Sequence, residues 1–168
     1  MGIAISLEQY LNGQGISYEA LTHKHTDCAA RSATASHIPI DSMAKAVVLS
    51  SRDGYILAVV PASQQVGLAN VGRCIKQPVA LATEKEIVPL FPDCEPGAIP
   101  PVGAAYGLRA VVDDRLEQMR DVYFEAGDHR TLVHVKGDDF HRLMRTVSHG
   151  PICTEYDAAE DDTGYWGA

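Results

Sequence analysis

The chain has 168 residues, of which 46% are hydrophobic and 21% charged, and its formal net charge is −8. This length and composition fit one globular domain with a substantial core. The excess of acid argues against a protein whose affinity comes mainly from nucleic-acid phosphates. Five acidic residues lie beyond Gly150 in a segment without Lys or Arg, and the rest of the chain has a net charge of −3. We therefore expect a domain over residues 1–150 and an acidic tail over 151–168.

The first half of the chain shows alternating helix and strand patterns. A short helix is predicted to start at a Ser6 cap and to end at Gly13, and a strand follows over 17–22. Asp27 is predicted to cap a small-residue helix that Pro39 ends. The strongest hairpin pattern comes next, with strands over 43–50 and 55–60 joined by an Arg-Asp-Gly turn.

The second half adds helices, a long loop and further strands. A helix is predicted over 66–75, and a capping-box helix begins at Thr83 and runs to Leu90. Residues 92–107 contain four prolines and three glycines, which predicts an irregular and ordered loop. The remaining predicted elements are strands over 108–112, 122–125 and 131–135, and a last helix that begins at Asp138 or Asp139. About six strands mixed with short helices in no regular βαβ order predict an α+β fold with a curved mixed sheet flanked by helices.

Lys45 is the most unusual residue of the predicted hairpin. Strand alternation places it on the same face as Met43, Val47 and Leu49, and an ammonium group is costly to bury without a partner. It either reaches water at the strand end or serves as a fixed cation for a phosphate, a carboxylate or an ester carbonyl. The sequence pattern leaves both interpretations open.

The segment Gly97–Pro101 is a second candidate site element. Gly97 permits a positive φ and close ligand approach, while Pro100 and Pro101 stiffen the backbone. Such a loop can direct amide N–H groups at an oxyanion, although Gly/Pro loops are more often plain connectors. The amides that could serve are those of Ala98, Ile99 and Val102.

The other polar motifs are weaker. His23 and His25 form an H-x-H pattern that can bind zinc, yet no third ligand has a suitable spacing. Asp128 and His129, in the polar turn that starts at Gly127, could orient a water or a ribose hydroxyl, or could simply form the turn. There is no dinucleotide fingerprint, P-loop or nucleophile elbow. We expect neither a metal nor a cofactor.

The cysteine spacing, the hydrophobic segments and the first residues all bear on the cellular location of the protein. The four cysteines are widely spaced and form no C-x-x-C pair, which fits a reducing compartment. No segment approaches the roughly 18 apolar residues of a membrane span, and the first residues lack the basic region of a signal peptide. We expect a cytoplasmic protein with no membrane association, and the sequence leaves its oligomeric state open.

The order of these motifs resembles the YbaK/prolyl-tRNA synthetase-associated domains, a family of aminoacyl-tRNA deacylases. The shared features are an A-K-A-V-V-L strand containing Lys45, a returning strand ending in V-P-A-S, a G-x-x-x-P loop and the segment F-E-A-G-D-H-R-T-L before the last helix. The likeness runs from about Tyr18 to Met144, which is most of the chain.

The resemblance implies both a fold and an activity. The fold would be a single α+β domain with a curved, partly barrel-like mixed sheet of about seven strands. The activity would be hydrolysis, without a metal, of the ester that joins a wrong amino acid to the 3′ adenosine of a tRNA, typically proline tRNA. Lys45 would be the essential lysine, and Gly97 and Pro101 would belong to the catalytic loop, whose amides stabilise the oxyanion. Aminoacyl-tRNA and prolyl-tRNA synthetase are the implied partners.

Several positions depart from the family's pattern. Ala46 stands where cysteinyl-tRNA deacylases have threonine, Leu132 where some members have aspartate, and Ser32 where some have an aromatic residue. The rejected amino acid is therefore expected to be small, and alanine, cysteine and serine all remain open. The residues expected to bind substrate are Ala98, Ile99, Val102, Gly127, Asp128, His129, His23 and Ser32.

Two other functions compete with the deacylase. One is a non-catalytic module that binds a nucleotide or an aminoacyl-adenosine and regulates a partner; the other is a hydrolase of free aminoacyl esters. A tRNA enzyme with this acidic composition needs either a local basic patch or a synthetase partner that supplies affinity. The candidate basic residues are Arg73, Lys76, Arg109, Arg130, Arg142 and Arg145.

Overall fold

The apolar alternating segments pair as strands in a computed structural model that describes residues 2–154. The strands are β1 (Tyr18–Thr22), β2 (Met43–Ser51), β3 (Gly54–Pro61), β4 (Gln65–Val66), β5 (Ala80–Leu81), β6 (Arg109–Asp113), β7 (Asp121–Glu125), β8 (Thr131–Lys136), β9 (Ser148–Gly150) and β10 (Cys153–Thr154). The helices are α1 (Ile5–Gly13), α2 (Ala29–Ala35), α3 (Leu68–Ile75), α4 (Glu84–Ile87) and α5 (Gly137–Leu143), with 3-10 turns at Ile40–Ser42, Val88–Leu90, Gly103–Tyr106 and Asp114–Gln118.

Eight strands form one mixed sheet in the order β1-β8-β7-β2-β3-β6-β9, with β5 paired to the end of β2. The pairs β1–β8, β8–β7 and β2–β3 are antiparallel, whereas β7–β2, β3–β6 and β6–β9 are parallel. Strands β4 and β10 form a separate antiparallel pair. The predicted α+β fold with a helix-flanked mixed sheet is confirmed. Within the described residues the edge strands β1 and β9 do not pair, so the sheet stays open rather than closing into a barrel.

The two faces of the sheet pack against different helices. One face carries the larger core, in which Leu7 and Leu11 of α1 pack with Phe140 of α5. The other face packs against α2 through Ala33 and against α3 through Val71. Both helix layers bury apolar side chains, and this burial is the main source of stability for such a domain.

Local signals explain some helix boundaries and tertiary contacts explain others. The predicted capping box is confirmed, because the Thr83 hydroxyl accepts from the Glu86 N–H and the Glu86 carboxylate accepts from the Thr83 N–H. The predicted cap at Ser6 is wrong, since the N-cap of α1 is Ala4, two residues earlier, and the Ser6 N–H donates to the Asp93 carboxylate at 2.8 Å. The cap at Asp27 is also wrong.

Asp27 lies one residue before the N-cap of α2, which is Cys28. Its carboxylate instead accepts from the Arg31 guanidinium, with nitrogen–oxygen distances of 2.9 and 3.0 Å. At the start of α5, Lys136 occupies the N-cap, and the acids predicted to cap this helix lie within its first turn. Carboxylates there are favourably placed against the positive end of the helix dipole.

The folded unit continues past Gly150. Ile152 is fully buried among residues that include Val47 and Val60, and its N–H donates to the Asp113 carboxylate at 3.0 Å. Residues 151–154 therefore pack with the domain, although they fall on the tail side of the boundary expected from the sequence. The five acids of the expected tail lie outside the described residues. Over residues 2–154, none of the helices combines the length and the apolarity needed to cross a membrane.

Candidate active site

Lys45 lies on the face of β2 opposite the larger core. Its neighbours Ala44 and Ala46 point into that core, while Met43 and Val47 flank the lysine on its own face. The side chain is half-buried, and burial lowers its pKa below the ordinary lysine value. Within residues 2–154, the nearby groups that oppose this shift are thiols rather than a carboxylate. A partly desolvated cation that has no carboxylate partner among the described residues is suited to an external anion or a carbonyl oxygen.

The glycine–proline loop docks on the turn between β7 and β8. Gly97 has a φ of +81°, and a Cβ placed on it would lie 3.1 Å from Cε1 of His129. The His129 Nε2 donates to the Pro96 carbonyl, and the Glu95 N–H donates to the Gly127 carbonyl at 2.7 Å. The loop is therefore held against the turn by two hydrogen bonds and one close contact.

The start of α2 connects the loop to the lysine. The Asp27 carbonyl oxygen would be 3.6 Å from a Cβ on Gly97, and the thiol of the next residue, Cys28, is near enough to Lys45 to influence its pKa. Helix α2 also packs on the strand that carries the lysine, because Ala33 and Met43 belong to one buried cluster. The loop thus lies against the residue that precedes α2, and the lysine lies on the strand on which α2 packs, although the two elements are about fifty residues apart in the sequence.

The loop amides differ in what they can offer a ligand. The Ala98 N–H already donates to the Glu95 carbonyl at 3.1 Å. Within residues 2–154, the N–H groups of Ile99 and Val102 donate to no other residue. The side chains of these two residues are buried in the larger core, and Pro100 and Pro101 are buried as well. The loop is anchored by these buried side chains, and two of the three amides named from the sequence have no hydrogen-bond partner within residues 2–154.

Some polar groups of the β7–β8 turn hold the turn together, and others have no hydrogen-bond partner among the described residues. The Asp128 carboxylate accepts from the N–H of Arg130 and from both the N–H and the hydroxyl of Thr131. It is therefore fully engaged in shaping the turn. Gly127 has a φ of +117°, and a Cβ there would lie 3.0 Å from Ala4, which indicates a packing role. His129, with a φ of +58°, retains an unpartnered Nδ1.

A buried carboxyl group that the sequence pattern did not reveal lies beside this turn. Glu125, the last residue of β7, is 3% exposed, and its Oε1 accepts from the fully buried Ser32 hydroxyl. Ser32 also shares a hydrogen bond with Thr26. Burial raises the pKa of the Glu125 carboxyl, while the Ser32 hydrogen bond opposes the shift. The available signal was an acid at the end of an apolar strand, in V-Y-F-E-A.

Glu125 faces the same side of the sheet as Lys45. In the parallel pairing of β2 with β7, Met43 lies opposite Tyr123, and each charged residue lies two positions further along its strand. Residues two apart on a strand share a face. Leu132, where some family members have aspartate, is directly opposite Glu125 across β7 and β8, so this chain carries its carboxyl group on the neighbouring strand.

The histidines before α2 complete the polar cluster. The His23 N–H donates to the Arg130 carbonyl at 2.8 Å, and its ring Nδ1 lies 2.5 Å from the Lys24 carbonyl oxygen. The His25 ring lies 5.4 Å from the His129 ring between centroids. Within residues 2–154, no three His, Cys, Asp or Glu side chains have the arrangement of a metal site.

The candidate basic residues do not form one continuous patch. Arg73 and Lys76 line one cleft of about 440 Å³. Arg142 and Arg145 line another of about 450 Å³, whose wall also contains Glu117 and Asp138. Arg130 is exposed and directly follows His129, whose ring contacts the glycine–proline loop.

An open mixed sheet that carries a half-buried lysine and a buried glutamate on the same face defines an α+β domain with a polar site on that face. Solved structures share this fold. A candidate trans-editing enzyme for prolyl tRNA synthetase is 21% identical, with a TM-score of 0.79 over 90% of this chain and 97% of its own. A designed scaffold for epitope presentation is 20% identical, with a TM-score of 0.79 over 90% of this chain and 97% of its own.

The same fold also occurs within a longer protein. A candidate signal transduction protein from Marinobacter aquaeolei is 16% identical, with a TM-score of 0.72 over 93% of this chain and 31% of its own. The family model for the aminoacyl-tRNA editing domain matches residues 23–143. This chain belongs to the aminoacyl-tRNA editing domain family. Comparison with curated proteins gives no match.

Proposed function

We propose that this protein is a trans-acting aminoacyl-tRNA deacylase. It would hydrolyse the ester of a mischarged tRNA, with proline tRNA carrying a small amino acid such as alanine or cysteine as the expected substrate. Membership of the editing-domain family supports the reaction class. The observation that carries the proposal is the half-buried Lys45, which has no carboxylate partner in residues 2–154 and lies on the strand against which α2 packs, while the Gly97 loop lies against Asp27 just before that helix.

Lys45 would supply a fixed positive charge to the substrate. Its burial weakens competition from water, which strengthens its attraction to a phosphate of the terminal nucleotide or to the ester carbonyl. The family resemblance assigns the essential lysine to this position. A cation held on a sheet strand also keeps its position between substrate binding and reaction, which favours catalysis by orientation.

The loop from Gly97 to Pro101, together with the following Val102, would stabilise the transition state. Water attacks the ester carbonyl carbon, and the carbonyl oxygen gains negative charge as the tetrahedral intermediate forms. The available N–H groups of Ile99 and Val102 suit this oxyanion. Collapse of the intermediate breaks the bond to the ribose oxygen, which takes up the proton given up by the attacking water, and releases the free amino acid and a tRNA with a terminal hydroxyl.

Recognition of the tRNA body would depend on few contacts. The formal net charge of −8 opposes a long phosphate interface. Arg130 is exposed beside His129 and could contact a phosphate near the acceptor end. We therefore propose that a cytoplasmic partner, with prolyl-tRNA synthetase as the first candidate, supplies part of the affinity.

A deacylation panel tests the proposal. The full-length protein is incubated with tRNAs charged with alanine, cysteine, serine and proline, and release of the amino acid is followed over time. We expect hydrolysis of at least one small amino acid from proline tRNA, and a loss of about 100-fold or more in Lys45→Ala. Lys85→Ala is the matched control because Lys85 is exposed on α4.

The outcomes distinguish the competing functions. Binding of aminoacyl-tRNA without hydrolysis of any substrate would replace the enzyme with a regulatory binding module. Equal rates on aminoacyl-tRNA and on free aminoacyl esters would indicate a small-ester hydrolase. Full activity in Lys45→Ala would remove the proposed role of the lysine. A rate increase on adding prolyl-tRNA synthetase would support the partnership.

A further inference from the structure

Three buried polar atoms near the β7–β8 turn have no hydrogen-bond partner among the described residues. They are Glu125 Oε2, His23 Nε2 and His129 Nδ1. Both imidazoles are near enough to the Glu125 carboxyl to influence its pKa, as is Asp128. Unpartnered buried polar atoms are uncommon in folded proteins because no hydrogen bond compensates for their lost hydration. Glu125 and His129 lie on one β7–β8 connection, and His23 is joined to it by its N–H bond to the Arg130 carbonyl, so the three atoms belong to one region of the fold. Three such atoms in one region indicate a place where a ligand supplies the missing partners.

The existing hydrogen bonds establish what the two imidazoles offer. The His129 Nε2 contacts the Pro96 carbonyl oxygen, and a carbonyl can only accept, so Nε2 carries the proton. The Nδ1 of the neutral ring is then an acceptor. The same reasoning applies to His23, whose Nδ1 faces the Lys24 carbonyl. Its unpartnered Nε2 is therefore an acceptor when the ring is neutral.

Glu125 provides the third acceptor and the negative charge. Its Oε1 is occupied by the Ser32 hydroxyl, which leaves Oε2 for a ligand. Ser32 is itself held by Thr26, so the carboxyl group is oriented from behind. Asp128, the other acid nearby, has its oxygens engaged in the turn and does not compete for the same ligand.

We propose that Glu125, His23 and His129 bind the α-ammonium group of the esterified amino acid, with Glu125 as the residue that selects for its charge. This inference rests on the proposed deacylase function. An ammonium group presents three N–H donors, which matches three unpartnered acceptors, and the carboxylate makes one of these contacts a charge-assisted hydrogen bond.

The position of the cluster suits this role. Glu125 shares a sheet face with Lys45, and His129 contacts the Gly97 loop. The lysine and loop would hold the nucleotide and the ester, while the acceptors receive the amino end of the same substrate. Direct metal coordination requires ligand atoms within about 2.0–2.3 Å of one centre, and no trio in residues 2–154 has that arrangement. Hydrogen bonds to an ammonium group permit the wider spacing.

Replacing the ammonium group by a hydroxyl tests the inference. Alanyl-tRNA and lactyl-tRNA carry the same ester and methyl group, but only the first has the α-ammonium group. We measure kcat/KM on both for the wild type, for Glu125→Gln and for Glu84→Gln, an exposed control on α4. Glu125→Gln should lower the alanyl value by about 10- to 100-fold and leave the lactyl value nearly unchanged. The control should leave both values unchanged.

Several results would overturn the inference. Equal losses on both substrates would mean that Glu125 has only a structural role, and no loss on either would mean that it does not contact the ammonium group. If Glu125→Gln does not fold, His23→Asn tests the same difference between the two substrates. Equal losses of kcat/KM on alanyl-tRNA and lactyl-tRNA in His23→Asn would also contradict the proposal.

A binding measurement separates this inference from the proposed reaction. The probes are 3′-alanylamino-3′-deoxyadenosine and its lactylamino counterpart, which resist hydrolysis. The wild type should prefer the alanyl probe, and Glu125→Gln should lose that preference. If the wild type hydrolyses neither tRNA yet shows the preference, the deacylase proposal fails and the ammonium site stands. If it hydrolyses alanyl-tRNA without any preference between the probes, the ammonium site fails and the deacylase stands.

Discussion

Gly97 lies directly against the His129 imidazole, so that a Cβ on the glycine would be only 3.1 Å from Cε1 of the ring. Both residues have positive φ angles, +81° for Gly97 and +58° for His129. The loop and the turn thus meet through two unusual backbone conformations. Their fit couples the position of the proposed oxyanion donors to the position of the histidine.

Gly97→Ala is expected to disrupt this contact. The left-handed backbone destabilises an alanine by about 1–2 kcal/mol, and the new methyl group also pushes His129 or the loop away. We expect lower stability together with a loss of deacylation of about 10-fold or more, because oxyanion stabilisation depends on donor position. Thermal unfolding and initial rates measure the two effects.

Gly107→Ala is the matched control for that substitution. Gly107 has a φ of +67°, yet a Cβ there would meet nothing within 4 Å. The Gly107→Ala variant should therefore lose stability only through its left-handed backbone conformation and should keep the normal deacylation rate. Equal losses of activity in both variants would mean that reduced stability, rather than the contact with His129, explains the Gly97 result.

Lys45→Met is expected to abolish activity and to raise the stability of the fold. Burial lowers the pKa of Lys45 in the folded protein, so the unfolded chain binds this proton more tightly. The lysine therefore destabilises the fold at neutral pH, and the destabilisation disappears as pH rises towards the pKa of the unfolded chain. We expect Lys45→Met to raise the midpoint of urea unfolding at pH 7 and to abolish deacylation. A lower midpoint would show that the ammonium group has a stabilising partner.

The fold could be predicted from the sequence where the signals are local. The hairpin of β2 and β3 combines clear alternation with an Arg-Asp-Gly turn signal, and the structure confirms the hairpin, although Gly54 already pairs with Ser51 and leaves only Arg52 and Asp53 in the turn. The capping box at Thr83 is equally local. Strands β5, β9 and β10 have only two or three residues each. They are strands because of partners far away in the chain, so their own sequence contains too little periodicity to reveal them.

Part of the candidate site also follows from local sequence, whereas the rest depends on contacts between residues distant in the sequence. The face of the sheet on which Lys45 lies follows from strand alternation alone. Its proximity to the start of α2, and the contact of Gly97 with His129, depend on tertiary packing. Glu125 was missed because an acid at the end of an apolar strand is ordinarily exposed, whereas here Ser32 of α2 covers it. The caps predicted at Ser6 and Asp27 were wrong for a related reason. The Ser6 N–H donates to the Asp93 carboxylate, and the Asp27 carboxylate pairs with the Arg31 guanidinium.

Glu125→Gln is expected to stabilise the protein at neutral pH. Burial raises the pKa of Glu125 in the folded state, so the folded protein holds the proton more tightly than the unfolded chain. Stability associated with this residue is present at acidic pH and is lost as pH rises through the folded-state pKa. Glutamine can keep the hydrogen bond from Ser32 without carrying a charge. The free energy of unfolding, measured from about pH 4 to pH 8, should favour the variant increasingly towards the upper end.

Glu84→Gln again provides the comparison for that pH series. Glu84 is exposed in the first turn of α4, so its difference from the wild type should be small and should not grow towards neutral pH. A stability difference between the wild type and Glu125→Gln that stays constant over the pH range would contradict the burial of an ionisable carboxyl group.

Ile152→Ala tests whether residues beyond Gly150 belong to the folded domain. Ile152 is fully buried on the Lys45 side of the sheet, in the cluster that includes Val47 and Val60. Truncation of a buried isoleucine leaves a cavity and is expected to lower the free energy of unfolding by about 2–5 kcal/mol. Ile5→Ala is the matched control, because Ile5 is 65% exposed and should change stability by less than about 0.5 kcal/mol. Equal small effects from both substitutions would mean that the segment after Gly150 is not packed in solution, and the domain boundary would return to the position expected from the sequence.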